Sequence, residues 1–132
     1  VLAMASYLGG SLLDNIQDVA LDSAGNVYCT GLLRSSEFPP GTGDKDGDAT
    51  YVVKFSADGT SLIYATVLDG SDDDFAQAIA VNSNGQAVIA GHTFSDDYPL
   101  LFPFEGTHNP GLGGGGDDAF VTKLDENGQL NS

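Results

Sequence analysis

Short apolar runs alternate along the chain with turns rich in Gly, Asp, Asn and Ser. In the first half of the chain these runs cover residues 16–22, 26–33, 50–56 and 61–68. Val, Ile, Tyr and Phe dominate them, and these residue types favour strands. The links DSAGN and SADGT, which join the first and the second pair of runs, are short and contain Gly, as hairpin turns do. The pattern therefore predicts antiparallel strands and an all-β fold.

The apolar positions within the predicted strands follow one another and do not alternate with polar ones. The segments VALD, AIAV, AVIA and TYVV show this pattern. A small antiparallel sheet with one face in water would alternate instead. We therefore expect sheets that are covered on both faces, as in a β-propeller, where four-stranded sheets stack around an axis.

The sequence repeats itself internally. Shifted by sixty positions it aligns with itself, so that Gln17 falls on Gln77 and Gly31 on Gly91. ASYLGG also matches ATVLDG at this shift, whereas ATYVVKFSADG matches DAFVTKLDENG at a shift of 69, because of an insertion after residue 100. Self-similarity at a fixed period is typical of solenoids and propellers. We therefore predict two copies of one supersecondary unit.

Several of these segments resemble a known family. SYLGG, DVALDSAGNVYCTG, EFPP and ATYVVKFSADGTSLIYATVLDG are similar to the SBBP repeat of bacterial β-propellers, and AIAVNSNGQAVIAG, DYPL and DAFVTKLDENG follow the same pattern. The resemblance covers nearly the whole chain except the insertion at residues 101–116. It implies propeller blades and an extracellular or cell-surface location. It carries over no catalytic residues, because the family shares none.

The order of the predicted strands indicates how the blades are completed. With strands labelled a to d from the axis outward, the chain runs d, a-b-c-d, a-b-c. Residues 1–10 are then an outer strand that completes a blade of a neighbouring chain. Residues 11–70 form blade one, and residues 71–132 form blade two without its outer strand.

Two blades cannot close a ring by themselves, since propellers have about 4–8 blades. We therefore expect a ring completed by homo-oligomerisation through exchanged N-terminal strands, with six blades in a trimer preferred and eight blades in a tetramer as the second choice. A fragment of a longer propeller is the alternative interpretation. The residues expected at the interface between copies are Val1, Leu2, Met4, Tyr7, Leu8, Val121 and Leu124.

The charge balance narrows the list of partners. The chain has 19 acidic and 4 basic residues, a net charge of −15 at pH 7. Nucleic acids and anionic membrane surfaces are bound by basic residues, so neither is expected as a partner. No apolar run approaches the roughly 18 residues of a membrane helix, so we expect no membrane insertion. The single cysteine, Cys29, cannot form an intramolecular disulfide.

Most acidic residues lie in or beside the long links that join strand d to a and strand b to c. The segment GDKDGD places aspartates at alternate positions, as at the start of an EF-hand-type loop, although the sixth and twelfth positions lack the Gly and Glu of that motif. Such oxygen ligands suit Ca²⁺ as a cofactor. In the alternative interpretation they are solvated side chains that shape turns. The candidate metal ligands are Asp44, Asp46, Asp48, Asp72, Asp73 and Asp74.

Aromatic and basic residues near the same long links are candidates for ligand contacts. Aromatic rings beside carboxylates suit carbohydrate, since the apolar face of a sugar stacks on the ring and its hydroxyls bond to the acids. Packing of the loops onto their own side chains is the alternative interpretation. The candidate ligand contacts are Arg34, His92, Tyr98, Phe102 and His108.

We therefore expect a non-enzymatic propeller scaffold that assembles with itself. Its acidic long-loop face would bind a divalent cation, a carbohydrate, or a protein or other cell-surface ligand. The alternative from another class is a hydrolase or lyase with its site at the mouth of the central channel. The sequence contains no G-x-S-x-G, H-E-x-x-H or phosphate-loop motif that would favour an enzyme.

Overall fold

A computed structural model describes residues 4–38, 48–99, 101 and 116–130. The strands in these ranges are β1 (Asp18–Leu21), β2 (Val27–Leu33), β3 (Ala49–Phe55), β4 (Leu62–Leu68), β5 (Asp74–Val81), β6 (Ala87–Thr93) and β7 (Asp118–Leu124). Every pair of neighbouring strands is antiparallel, which confirms the all-β prediction. A search of the described ranges for a helix able to cross a membrane finds none.

The strands form two sheets whose strand order follows the chain. The first sheet has the order β1-β2-β3-β4 and is called blade one here; the second has the order β5-β6-β7 and is called blade two. The repeat seen in the sequence is kept in the pairing. Val19 pairs with Cys29 in blade one as Ile79 pairs with Ile89 in blade two.

The short turns between strands share one construction. Asp22, Asn82 and Asp125 each begin a turn, and the Oδ1 atom of each accepts hydrogen bonds from the backbone N–H groups two and four residues later. Such side-chain capture of the backbone is the reason that Asp and Asn favour turns. Asp22 and Asp125, which are not among the candidate metal ligands, therefore have a structural role in the short turns.

Blade two has a β-bulge in its first strand. In blade two the register shifts between Ala76 and Ala78, so that Gln77 lies outside the ladder. The bulge lies opposite Gly91, where a Cβ atom would be only 2.0 Å from the carbonyl oxygen of Phe75. Only glycine permits this approach of two backbones. Gln17 and Gly31 stand at the same places in blade one, and a Cβ on Gly31 would meet a backbone oxygen at 2.2 Å.

The larger core lies between the two blades. Tyr28 and Val52 of blade one are buried in one cluster with Ile89, Phe120 and Leu124 of blade two. The sheet face of blade two that carries these residues thus covers the facing side of blade one. This inter-blade core fits the expectation from the consecutive apolar runs that the sheets are covered.

Leu124 was expected at an interface between copies, and its burial in the inter-blade core corrects that expectation. Side chains alternate between the two faces of a strand, so residues three positions apart point to opposite faces. Val121 therefore lies on the other face of β7, where it is exposed. We call that other face, with Val88, Ala90 and His92 on β6, the outer face of blade two.

The outer face of blade one carries a second cluster, formed by Cys29, Leu33, Tyr51 and Val53. Leu8 packs against this cluster. Residues 4–10 form no strand in this single chain, yet they lie along blade one. Of the other residues expected at the interface, Tyr7 is fully exposed, and Val1 and Leu2 lie outside the described residues.

Hydrogen bonds also join the two blades. The backbone N–H of Ile79 donates to Oδ2 of Asp18 at 2.9 Å, and the Thr66 hydroxyl donates to the carbonyl oxygen of Gly128 at 2.6 Å. The hydroxyl of Tyr28 lies 3.3 Å from the carbonyl oxygen of Gly85. Polar contacts therefore fix the relative position of the blades in addition to the apolar core.

Candidate functional site

Three of the candidate metal ligands, Asp72, Asp73 and Asp74, lie at the link that enters blade two. Asp74 is buried and accepts hydrogen bonds from the backbone N–H of Gly70, at 2.7 Å, and from the hydroxyls of Thr93 and Ser95. Burial raises the pKa of Asp74, and it outweighs the hydrogen bonds from Thr93, Gly70 and Ser95, which lower the pKa. Asp74 is therefore a structural anchor whose oxygens point to donors of the protein.

A hydrogen bond between Asp48 and Asp73 brings these two candidate metal ligands together. The backbone N–H of Asp48 donates to Oδ1 of Asp73 at 2.9 Å, and the backbone N–H of Asp74 donates to the carbonyl oxygen of Asp48. Asp72 accepts a hydrogen bond from the backbone N–H of Asp73. Within the described part of the chain no group of three acidic, His or Cys residues is placed to hold a metal ion. Asp44 and Asp46 lie outside that part.

Arg34 pairs with Asp48 and does not stand ready for a ligand. Its Nη2 lies 2.7 Å from Oδ2 of Asp48, and its Nε donates to the other carboxylate oxygen. The hydrogen bond and the negative charge of Asp48 raise the pKa of Arg34. A bidentate contact of this kind neutralises both side chains. One candidate ligand contact and one candidate metal ligand thus satisfy each other.

Tyr98 packs inside the protein. Its ring stacks on Phe120 with the ring centroids 4.4 Å apart, and its hydroxyl lies 3.3 Å from Oγ1 of Thr122. The side chain is buried in the inter-blade core, which corrects its placement among the ligand contacts. An aromatic residue before a proline in a long link was an ambiguous signal, because both packing and binding use such residues. Phe102 and His108 lie outside the described residues.

His92 lines an open cleft between the two blades. The cleft has a volume of about 530 Å³ and lies where the first strands of both blades begin, at the end of the sheets that carries the long links. It falls in the usual range of ligand sites, about 300–1,000 Å³. The lining residues are Asn15, Gln17, Leu32, Phe75, Ala76, Gln77 and His92.

The polar groups of the cleft are amides and an imidazole. Nε2 of Gln77 lies 3.2 Å from Nδ1 of His92. With the amide in this orientation its nitrogen donates and Nδ1 accepts, which leaves Nε2 as the ring nitrogen that can donate. Oδ1 of Asn15 accepts a hydrogen bond from the backbone N–H of Leu32 at 3.1 Å, which fixes that side chain in place.

An aromatic cluster forms one wall of the cleft. The rings of Phe75 and His92 are stacked with centroids 5.0 Å apart, and Phe94 contacts both rings edge-on. Offset stacking and edge-to-face contacts are the favourable arrangements of aromatic rings. The cluster is specific to blade two, because Asn15, Leu32 and Arg34 stand at the equivalent positions of blade one.

The seven described lining residues include three amides, an imidazole and an aromatic ring. Sequence reasoning identified only His92 of this set. Gln17 and Gln77 were seen as repeat partners, but the repeat does not show that the two side chains line one cleft.

Comparison with known proteins gives one match. Residues 5–32 match the family model of the beta-propeller repeat SBBP, which confirms the resemblance found in the sequence. A search of curated proteins finds no match. The matched stretch includes the link before blade one, β1 and most of β2, with the turn built on Asp22. Over these residues the chain is similar to a propeller repeat, and the antiparallel blade observed here agrees with that fold.

Proposed function

We propose that this chain is a non-enzymatic β-propeller scaffold whose copies associate head to tail. The observation that carries the proposal is a difference in exposure between equivalent residues of the two blades. Residues that are buried where blade one meets blade two have exposed counterparts on the two outer faces. Those two faces would be covered if the contact inside the chain were repeated between chains.

On the outer face of blade two the key residue is Val121. Its counterpart in blade one, Val52, is 0% exposed because blade two covers it, whereas Val121 is 75% exposed. Burial of apolar surface is the main favourable term in association. The outer face of blade two thus corresponds to the face of blade one that blade two covers. Among the described residues, no second sheet covers it.

On the outer face of blade one the corresponding residue is Val19. Its counterpart Ile79 is 8% exposed in the inter-blade core, whereas Val19 is 56% exposed. Leu21 is exposed as well, although its counterpart Val81 packs against the core. The two outer faces therefore carry the two halves of the contact that blades one and two make with each other.

The N-terminal segment supports the same arrangement. Met4 lies against the turn at Gly59 as Tyr64 of β4 lies against the turn at Gly128. Leu8 likewise packs on the outer face of blade one, and its counterpart Leu68 of β4 packs in the inter-blade core. Residues 4–10 thus have, against blade one, the position that an outer strand has against the following blade. In a neighbouring copy, that strand would pair with the edge of β7.

A head-to-tail contact must either close into a ring or continue as a filament. Propellers with about 4–8 blades close, so three copies with six blades, or four copies with eight, would form a ring. We favour the trimer. Association through the outer faces would also cover the edge of β7, which would otherwise be open to uncontrolled pairing.

The mass of the protein in solution tests this proposal directly. We expect light scattering behind a sizing column to give a single species of three or four copies. Deletion of residues 1–8 removes the strand offered to β7, and the expected mass is then that of one chain, with the strand signal in circular dichroism kept. A wild-type protein that stays monomeric up to high concentration would instead favour a fragment of a longer propeller. An intact oligomer after the deletion would exclude strand exchange.

Calcium binding and the nature of the ligand remain predictions. Asp48, one of the three candidate metal ligands at residues 44–48, is paired with Arg34. A cation at this place would therefore depend on Asp44 and Asp46. An ion bound only by the folded state raises the melting temperature, and the rise grows with the logarithm of its concentration once that exceeds the dissociation constant. A rise with CaCl₂ that EDTA reverses and MgCl₂ does not reproduce would support the site. Equal melting curves in all three conditions would contradict it.

A further inference from the structure

We propose that the cleft between Gln17 and Gln77 binds a neutral saccharide through these amides and the Phe75–His92 ring pair. The proposal deepens the ligand-binding part of the proposed function. The lining residues all come from one chain, but His92 also lies on the outer face of blade two that assembly would cover, so binding and assembly are measured separately.

One glutamine lies on each side of the cleft. Gln17 and Gln77 occupy equivalent positions of the repeat: Gln77 lies at the β-bulge of β5, and Gln17 immediately precedes β1, where its backbone N–H donates to the carbonyl oxygen of Thr30 at 2.8 Å. A bulge removes a residue from the strand ladder and redirects its side chain. The close backbone approach at Gly91 fixes the bulge of blade two, since nothing larger fits there. The two amides are therefore presented by rigid elements, as a specific binding site requires.

Amide side chains match the hydroxyl groups of a sugar. Each amide offers one acceptor oxygen and two N–H donors, and a hydroxyl group can both donate and accept. Asn15 adds a third amide, already held by the backbone of Leu32. His92 adds a ring N–H at Nε2, because Gln77 takes its Nδ1. The cleft thus combines donors and acceptors without any fixed charge.

The ring of Phe75 supplies the apolar part of the site. It lines the cleft beside the amides and is held by stacking on His92 and by an edge contact with Phe94. A sugar ring has one face of C–H groups, which pack on an aromatic face while its hydroxyls bond to polar neighbours. A volume of about 530 Å³ is sufficient for one or two sugar rings.

Charge favours a neutral ligand over an ionic one. No carboxylate, Lys or Arg lines the cleft, whose polar groups are three amides and the imidazole of His92. An anion would also be repelled by the net charge of −15. A cation would find no carboxylate in the cleft to neutralise it, and the carboxylates of Asp48 and Asp74 are bound to groups of the protein.

Side-chain amide signals in ¹⁵N-labelled protein provide the test. The probes are glucose, galactose, N-acetylglucosamine, maltose and cellobiose, each added to the full chain. We expect at least one sugar to shift the NH₂ signals of Gln17 and Gln77, with saturation. Gln77→Ala removes one hydrogen-bonding partner, and the expected loss of affinity is about tenfold. Phe75→Leu, which keeps an apolar side chain but removes the ring, should weaken binding similarly.

Gln129→Ala is the matched control. It removes an exposed amide from the turn at the opposite end of the sheets, and it should leave the affinity unchanged. Absence of any saturable shift with all five sugars would overturn the proposal, as would shifts that Gln77→Ala and Phe75→Leu leave intact. Light scattering on the same samples reports the assembly separately. A monomer that binds sugar would contradict only the ring, and a ring that binds none would contradict only the cleft.

Discussion

Asp14 and Asp74, sixty positions apart, make the same pair of hydrogen bonds in the two blades. Each accepts from the backbone N–H of the glycine four residues earlier, at 2.8 and 2.7 Å, and from the hydroxyl of the serine 21 residues later, at 2.6 and 3.2 Å. The two carboxylates thus tie the link that enters each blade to the end of its second strand. The two copies of the repeat therefore share these hydrogen bonds as well as their strand order.

The environments of these equivalent carboxylates nevertheless differ. Burial raises the pKa of Asp14, but bonds from Ser35, Gly10 and Arg34 outweigh it, and the net effect is a pKa below 3.8. Asp74 is completely buried, and burial raises its pKa above 3.8 despite its hydrogen bonds. Desolvation disfavours a charge, and donors that point to it favour it.

We therefore predict that the two carboxyl groups titrate on opposite sides of 3.8. Asp14 should lose its proton below that value and Asp74 above it. Carboxyl ¹³C shifts followed from pH 7 to pH 2 measure both midpoints, and Asp14→Asn and Asp74→Asn assign the signals. Two midpoints on the same side would mean that burial at Asp74 is less complete than the structure shows.

The same difference gives the two groups opposite effects on stability. The native state holds the proton of Asp74 more tightly than the unfolded state does, so its contribution is complete below pH 3.8 and is lost as the pH rises through the raised pKa. Asp14 contributes above pH 3.8, and this contribution is lost as the pH falls through its lowered pKa. Denaturant unfolding at several pH values should show a flatter acid decline for Asp14→Asn than for the wild type.

Gly91→Ala should destabilise the protein by steric conflict. A Cβ atom at this position would lie 2.0 Å from a backbone oxygen of β5, and a strand cannot move as a flexible side chain can. Overpacking of this kind costs about 1–3 kcal/mol in the free energy of unfolding, sometimes more. The measurement is urea unfolding, and the amide signals of the cleft should shift in the same variant.

Gly85→Ala separates this effect from backbone strain. Gly85 has a φ of 75°, and the nearest atom to an added Cβ is 3.4 Å away, which is ordinary contact. The variant should lose about 1–2 kcal/mol, the cost of a left-handed conformation for a residue with a side chain, and should keep the cleft signals unchanged. If Gly85→Ala disturbed the cleft as much as Gly91→Ala, the bulge would not be what shapes it.

Asp18→Ala should loosen the contact between the blades. The Oδ2 atom of Asp18 accepts the backbone N–H of Ile79, and its loss leaves a partly buried donor without that partner. We expect a loss of about 1–3 kcal/mol in the free energy of unfolding. Asp18→Asn keeps an acceptor oxygen and should lose clearly less. Equal losses for both variants would show that the charge of Asp18, and not the bond to Ile79, matters.

The repeat and the apolar pattern were sufficient to predict the blades. The predicted runs at 26–33, 50–56 and 61–68 coincide with β2, β3 and β4 to within a residue at each end. The run at 16–22 is longer than β1, which spans Asp18–Leu21. A pattern of apolar residues indicates burial, whereas the bounds of a strand depend on backbone pairing, which the pattern does not show.

The site was harder to predict because residue type does not reveal what a side chain already contacts. By residue type, Asp48, Asp73 and Asp74 are plausible metal ligands. Their carboxylate oxygens, however, already accept hydrogen bonds from backbone N–H groups and from Arg34. Gln17 carries no such chemical signal, and it lines the cleft only because the first strands of the two blades lie side by side. Long-range geometry of this kind depends on the packing of the blades.

Two single variants, mixed, test whether the two outer faces meet each other. Lysine at Val121 or at Val19 places a charge on one outer face and leaves the other face intact; both valines are exposed, so both variants should fold. Head-to-tail contact predicts that Val121→Lys and Val19→Lys are each monomeric alone. An equimolar mixture should give a dimer and nothing larger, because one good face of each copy remains.

The mixing result distinguishes modes of association that a loss of mass alone does not. If copies paired through identical faces, one of the two variants would still dimerise with itself, since its intact face would be self-complementary. Asn84→Lys places the same charge in the exposed turn between β5 and β6, on neither sheet face, and should assemble like the wild type. A single contact lacks the additional stability of a closed ring, so the mixed dimer should dissociate on dilution at concentrations where the wild-type oligomer persists.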